Sequence, residues 1–252
     1  MTIHIPDIRT KRLHVRLRQL TIADSLALAA MPVQSEQATQ SEFFRRTATV
    51  VSGESNPELW TVQERTAVVC LYLAAVLDDN PDFAVGDGGA KLSDYLEFER
   101  DIPDAETIPV GDIGGDAWAV RHLTGGMAEA IERLEGELPG IRGRAYWSIG
   151  SMAAQMVRPG DDAPTNSTDE WLLARMRVLS QYPESDAVAM AVALHTGRAQ
   201  LHHLMRYDFA MDGGIVAMPK EGAGAYPPAR FRVYAGLSEW ARGMVGQSGT
   251  TG

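Results

Sequence analysis

The sequence predicts an α+β fold that is mostly α-helical, with helices packed around a central apolar helix, a small sheet and a C-terminal β-hairpin. Three stretches carry this. Glu58 to Leu77 is the most apolar long segment, and it opens with Thr61 and Glu64 in capping-box spacing, where each side chain satisfies an orphan backbone donor. Leu13 to Leu20 alternates apolar Leu13, Val15 and Leu17 with polar His14, Arg16 and Arg18, the period of a half-buried strand. Near the end, Gly214 to Met218 and Ala229 to Tyr234 read as two strands separated by a loop rich in glycine and proline.

Taken in order, the first strand runs straight into a helix started by Thr21 and Asp24 and closed by Pro32. Val33 to Gln40 is polar and loop-like. Ser41 to Val51, with Phe43, Phe44, Ala48 and Val51 at helical spacing, predicts an amphipathic helix ending near Gly53. The apolar helix follows and stops at Asp78, Asp79, Asn80 and Pro81. The next loop scatters carboxylates among glycines but fails the spacing of a calcium loop, because Phe83 and Gly89 stand where glycine and glutamate belong. Lys91 to Phe98 reads as a short helix or turn, and Asp101 to Gly115, rich in Asp, Pro and Gly, as a loop.

Ala117 to Leu123 predicts a second strand, with Thr124 leading a helix over Met127 to Leu138. This junction, Val120 to Thr124, echoes Leu17 to Thr21. Two such strand-helix units side by side would make a small sheet covered by helices, although cap chemistry alone also favours threonine there. The remainder is mainly helical: Tyr146 to Val157, then Trp171 to Leu179 behind a Ser167 and Glu170 capping box, then a long run from Ala187 to about Tyr207. A short helix over Ser238 to Val245 and a Gly/Ser/Thr tail finish the chain. The break at Pro159 to Thr168 divides the chain into residues 1–160 and 161–252, which pack as two units or as one.

A chain of 252 residues, 45% hydrophobic and 22% charged, has enough apolar surface for a proper core. Its net charge of -10 repels phosphate backbones and anionic membranes, so neither nucleic acid nor membrane is an expected partner. The basic cluster Arg9, Lys11, Arg12, His14, Arg16 and Arg18 reads as the polar side of a strand, or as a face for an anion or an acidic partner. Cys70 is alone and sits inside the apolar helix, which fits a reducing compartment and a core role. The N-terminus lacks the basic and apolar regions of a secretion signal, and no apolar run is long enough to span a bilayer.

Motifs for chemistry are missing. Neither Gly150-Ser151 nor Gly236-Leu237-Ser238 completes a serine-hydrolase elbow, and no phosphate loop or dinucleotide fingerprint occurs. His195 and His202 are seven apart, not the three or four that helical metal ligands need, so no metal and no cofactor are expected. An enzyme of unrecognised type is the alternative, with Asp112, Asp116, Arg121 and His122 as its cleft.

The run Leu13 to Ala29, the apolar Leu71 to Val76 and the Gly88 to Leu96 segment together resemble the baseplate-hub assembly and tail-assembly-chaperone group of tailed bacteriophages. The resemblance covers roughly the first 160 residues. It implies a non-enzymatic protein that acts through contacts with other phage tail or baseplate proteins, oligomeric within an assembly. Two versions follow from it: a structural component of the virion tail, or a tail-assembly chaperone that works in the host cytoplasm and is absent from the mature virion. The C-terminal region exceeds the length of the smaller members. The predicted contact surface comprises Arg16 and Arg18 on the strand, Arg198, His202 and Arg206 on the long helix, and Tyr226, Arg230 and Arg232 around the hairpin.

Overall fold

A computed structural model describes residues 3–77, 81–161 and 168–245. The chain is α+β, 42% helix against 19% strand, so helices dominate and the sheets are small and antiparallel. The first sheet has the order β1-β2-β3, with β1 at Ile8–Arg9, β2 at Leu13–Leu17 and β3 at Ala48–Gly53. Leu13 and Val15 are buried and Arg16 is exposed, as the alternation predicts. Gly53 closes the ladder at φ 94°, where a Cβ would fall 1.8 Å from the Arg12 carbonyl, so only glycine fits.

Between β2 and β3 lie α1 (Ile22–Ala29) and α2 (Glu36–Thr47). The helix expected over Ser41 to Val51 is displaced: it starts at Glu36, and Ala48 to Gly53 forms β3 instead. Thr49, Val50 and Val51 are β-branched, and Thr49 and Val50 pair with β2 while Val51 falls at a register shift, so strand preference and an available edge override the helical spacing.

The apolar segment forms α3 (Val62–Val76), whose Thr61 and Glu64 make the full capping box. Every residue from Val62 to Cys70 is buried, including Gln63, Glu64, Arg65 and Thr66. Val62 belongs to one apolar cluster, drawn otherwise from residues 118–215, while Val68 to Leu73 belong to a second, drawn from residues 5–96 and 205–237. The C-terminal segment thus returns to complete the N-terminal core. After α3 come a hairpin of β4 (Ala84–Val85) and β5 (Ala90–Lys91) and a 3-10 turn at Leu92–Asp94.

The second sheet has the order β6-β7-β8, with β6 at Thr107–Ile113, β7 at Asp116–Arg121 and β8 at Met156–Val157. β6 corrects the loop expected over Asp101 to Gly115. Its proline sits at a bulge between Pro109 and Gly111 on an edge strand, where a missing N–H is tolerated, while Ile108, Val110 and Ile113 pack on the core. α4 (Gly125–Arg133) and α5 (Gly143–Gln155) connect β7 to β8.

The two echoing junctions lie in different sheets, so they do not build one sheet side by side. Their shared feature is the threonine cap, and Thr124 instead pairs with Thr61: Val62 donates to the Leu123 carbonyl at 3.0 Å and Gly125 to the Trp60 carbonyl at 2.8 Å. Helices α3 and α4 therefore start from one locked bridge.

α6 (Thr168–Leu179) and α7 (Glu184–Gln200) follow, then β9 (Arg206–Phe209), β10 (Ile215–Met218), a 3-10 turn at Val233–Gly236 and α8 (Glu239–Met244). Two sequence expectations fail here. The long helix stops at Gln200 instead of reaching Tyr207, because the peptide of Leu204 is bonded to residues 97–100. The C-terminal hairpin is β9 with β10, and Ala229 adds only a single bridge to Ala217 before the 3-10 turn. Pro227 and Pro228 cannot donate to a ladder, which prevents that segment from continuing as a strand. The Asp78 to Asn80 stop, the Ser167 cap and the tail from 246 lie outside the described residues.

Candidate functional site

The end of α7 makes the most chemically featured concavity among the described residues, a cleft of about 350 Å³. Its walls come from residues far apart in sequence. Leu204, at φ 55°, turns the chain sharply after α7, and its N–H and carbonyl are bonded to Arg100 and Glu97 at 2.8 and 2.7 Å. A leucine in left-handed backbone costs about 1 kcal/mol, which burial of its side chain and these two bonds offset. The turn sets the loop at 97–100 against the start of β9.

Arg198 leaves α7 and lies over the Tyr207 ring, 3.9 Å from its centroid, while its Nη2 donates to the Tyr207 carbonyl at 3.0 Å. Arg100 donates from Nε to the His202 carbonyl at 3.2 Å. Arg206 reaches Glu221 at 3.5 Å, but that carboxylate is 87% exposed, so the pair is screened and weak. The other nearby acids are taken: Glu97 pairs with His202, and Asp208 pairs with Arg144 at 2.6 Å. Arg100 and Arg198 therefore carry no ion pair among the described residues, in a chain whose net charge is -10.

At the cleft floor, Gln63 from the first turn of α3 is 5% exposed, and its Oε1 finds no hydrogen-bond partner. An unpaired buried amide oxygen is costly, roughly 1–3 kcal/mol, so this atom is poised for a donor. Close by, His203 is fully buried: its Nδ1 donates to the Leu201 carbonyl at 3.0 Å, which leaves Nε2 to accept from the Thr61 hydroxyl at 2.9 Å. Burial pushes its pKa down to about 3. The His122 ring stands edge-on to it at 5.0 Å, and burial lowers that imidazole to about 4. Both rings are neutral struts near neutral pH.

The eight residues of the predicted contact surface divide among several places. Arg198, His202 and Arg206 meet in the cleft. Arg230 and Arg232 converge on Glu36 at the start of α2, at 2.9 and 2.6 Å. Arg16 pairs with Asp7 at 3.2 Å and Arg18 with Asp24 at 2.7 Å, where Arg18 leads in holding the Asp24 carboxyl well below its usual range. Tyr226 packs half-buried on the second apolar cluster. Sequence reasoning missed Gln63, Glu97 and Arg100; nothing local distinguishes them, since Gln63 lies in the apolar helix and the other two in an acidic loop.

The grouping of Asp112, Asp116, Arg121 and His122 is not assembled. Asp112 and Asp116 are exposed near the tip of the β6-β7 hairpin, Asp116 pairing with Arg158, whereas Arg121 donates to the Ala154 carbonyl and lies over Trp171. Among the described residues no three or more His, Cys, Asp or Glu side chains are placed to hold a metal ion. Cys70 is buried and its thiol is pushed well above its ordinary pKa by desolvation, so it is not a ready thiolate. The cleft offers guanidinium groups and an amide, the chemistry of holding an anion that also donates hydrogen bonds. Among known protein families, curated proteins and solved structures, none matches this chain.

Proposed function

We propose that this protein works by holding a partner protein and that the cleft at the end of α7 is its binding face. The observation that carries this is the pair of arginines, Arg100 and Arg198, which among the described residues have no carboxylate partner and lie beside an unsatisfied buried amide, while most other arginines named above are paired. Unneutralised guanidiniums in a concave wall favour an acidic surface on the partner, giving orientation and faster association. The partner we assign, from the resemblance of the first 160 residues, is another tail or baseplate protein of a bacteriophage. In this reading α3 is the hub, its start carrying Gln63 into the cleft and its later turns anchoring the N-terminal core, and the β9-β10 hairpin is the contact edge.

Both versions of the role remain distinct by location: a component stays in the virion tail, whereas a chaperone acts in the host cytoplasm and leaves before maturation. A tagged full-length chain expressed during infection should co-purify with tail or baseplate subunits, and mass spectrometry of purified particles then separates component from chaperone. Co-purification with no tail protein removes the assignment.

A further inference from the structure

Among the described residues no strand pairs with the outer edge of β9, which fronts the cleft; on that edge the Phe209 N–H is taken by its neighbour Asp208 at 2.8 Å, and the Tyr207 N–H has no such partner. Four consecutive residues, Met205 to Asp208, line the cavity, which a single face of a strand cannot do because alternate side chains point oppositely. The backbone direction is fixed independently. Ala217 on β10 both donates to and accepts from Ala229, at 2.8 and 2.9 Å, so its polar groups point away from β9. Ala217 faces Tyr207, which makes theirs a non-hydrogen-bonded pair, and the Tyr207 N–H and carbonyl accordingly point outward into the cleft. Arg198 occupies that carbonyl.

We propose that the cleft takes an extended acidic segment of the partner protein, which adds as a strand along the outer edge of β9 and sets carboxylates against Arg100, Arg198 and Arg206. This rests on the reading that the cleft is the binding face, and it specifies the partner's chemistry. An extended segment supplies what a bare anion does not: a backbone carbonyl for the Tyr207 N–H and a backbone N–H for the Gln63 Oε1. Sulfate or a lone carboxylate has no donor to give. Alternate residues of such a strand sit about 6–7 Å apart on one face, so every second residue is acidic where it meets the arginines. The intervening residues are apolar, because α7 carries an exposed stripe of Val188 (58% exposed) and Val192 (63% exposed) that continues through His195 and Ala199 into the cleft wall.

The test uses the full chain and a fluorescent peptide of alternating valine and glutamate, read by anisotropy. Three changes should each weaken binding about tenfold or more: glutamine in place of glutamate, N-methylation of alternate backbone nitrogens, and the surface variant Arg206→Glu, whose thermal unfolding should match the parent. Equal binding of the N-methylated peptide overturns strand addition, and equal binding of the glutamine peptide overturns the role of the arginines. Binding of inorganic phosphate with no binding of any peptide makes the cleft a small-anion site and also overturns the proposal. If the peptide fails while tail subunits still co-purify, strand addition falls and the partner assignment stands. If the peptide binds but no tail subunit co-purifies, the reverse holds.

Discussion

Two arginine clusters in this molecule, alike in composition, are opposite in electrostatic state. At the start of α2, Arg230 and Arg232 share Glu36, and Arg230 also reaches Asp212 and the Gly213 carbonyl. At the end of α7, Arg100 and Arg198 donate, among the described residues, to backbone carbonyls and to no carboxylate, which satisfies hydrogen bonds but leaves the charge uncancelled. The first arrangement ties the C-terminal segment to the N-terminal core, so its arginines are structural. The second retains its field. Arginine content does not make a binding surface; the carboxylates within reach decide.

No expected effect exceeds that of removing Glu36, because both arginines of the closed cluster meet on it. Glu36→Ala leaves Arg232 without its carboxylate and Arg230 with only the exposed Asp212, and should destabilise the fold by about 2 kcal/mol, read as a lower urea midpoint with unchanged slope. A change of only a few tenths would mean that the closed cluster is no more structural than the open one.

The same end of α2 is held by Glu132, which accepts from the Gln37 and Ala38 N–H groups at 2.9 and 3.1 Å. Burial raises its pKa to about 7 against those bonds. A folded-state pKa above the unfolded one means stability that is present at low pH and lost as pH rises through about 7. Between about pH 5 and 8 the parent should therefore lose about 2 kcal/mol relative to Glu132→Gln, measured as paired denaturation curves. Parallel pH profiles would show that the carboxyl is already ionised in the folded state.

Beneath the open cleft the slope has the opposite sign. His122 and His203 have folded-state pKa values below 6.5, so their contribution is present above that value and lost as pH falls. In the Glu132→Gln background, which removes the larger opposing slope and leaves that of the buried Glu64, stability should drop by about 1.5 kcal/mol from about pH 6.5 to 5.5. A flat profile there would place at least one ring in contact with solvent. Smallest of all, Arg206→Ala should stay within about 0.5 kcal/mol of the parent, because its partner Glu221 is exposed. A larger loss would make this arginine structural and erase the contrast.

Much of the fold was legible where its cause is local. The Thr21, Thr61 and Thr124 helix starts lie where threonine side chains accept from an amide three residues on, and the Leu13 to Leu17 alternation places the first sheet's core face. Legibility failed where a distant partner overrode a local pattern. Ala48 to Gly53 became a strand because β2 offered an edge, and α7 ended early because Leu204 bonds to the loop at 97–100. Of the cleft, Arg198, His202 and Arg206 were legible as exposed-looking polar groups on one segment, whereas Gln63 and Arg100 carried no signal.

Sequence alone fixes the threonine-capped helix starts, the core face of the first strand and an acidic protein with a sizeable core, since capping and side-chain periodicity operate over a few residues. What only the tertiary structure decided is which charges are cancelled. Glu36 lies 194 residues from Arg230 and Glu97 lies 105 from His202, and Coulomb attraction follows distance through space. Chain folding alone sets those distances, and with them a cleft where Arg100 and Arg198 carry no ion pair among the described residues.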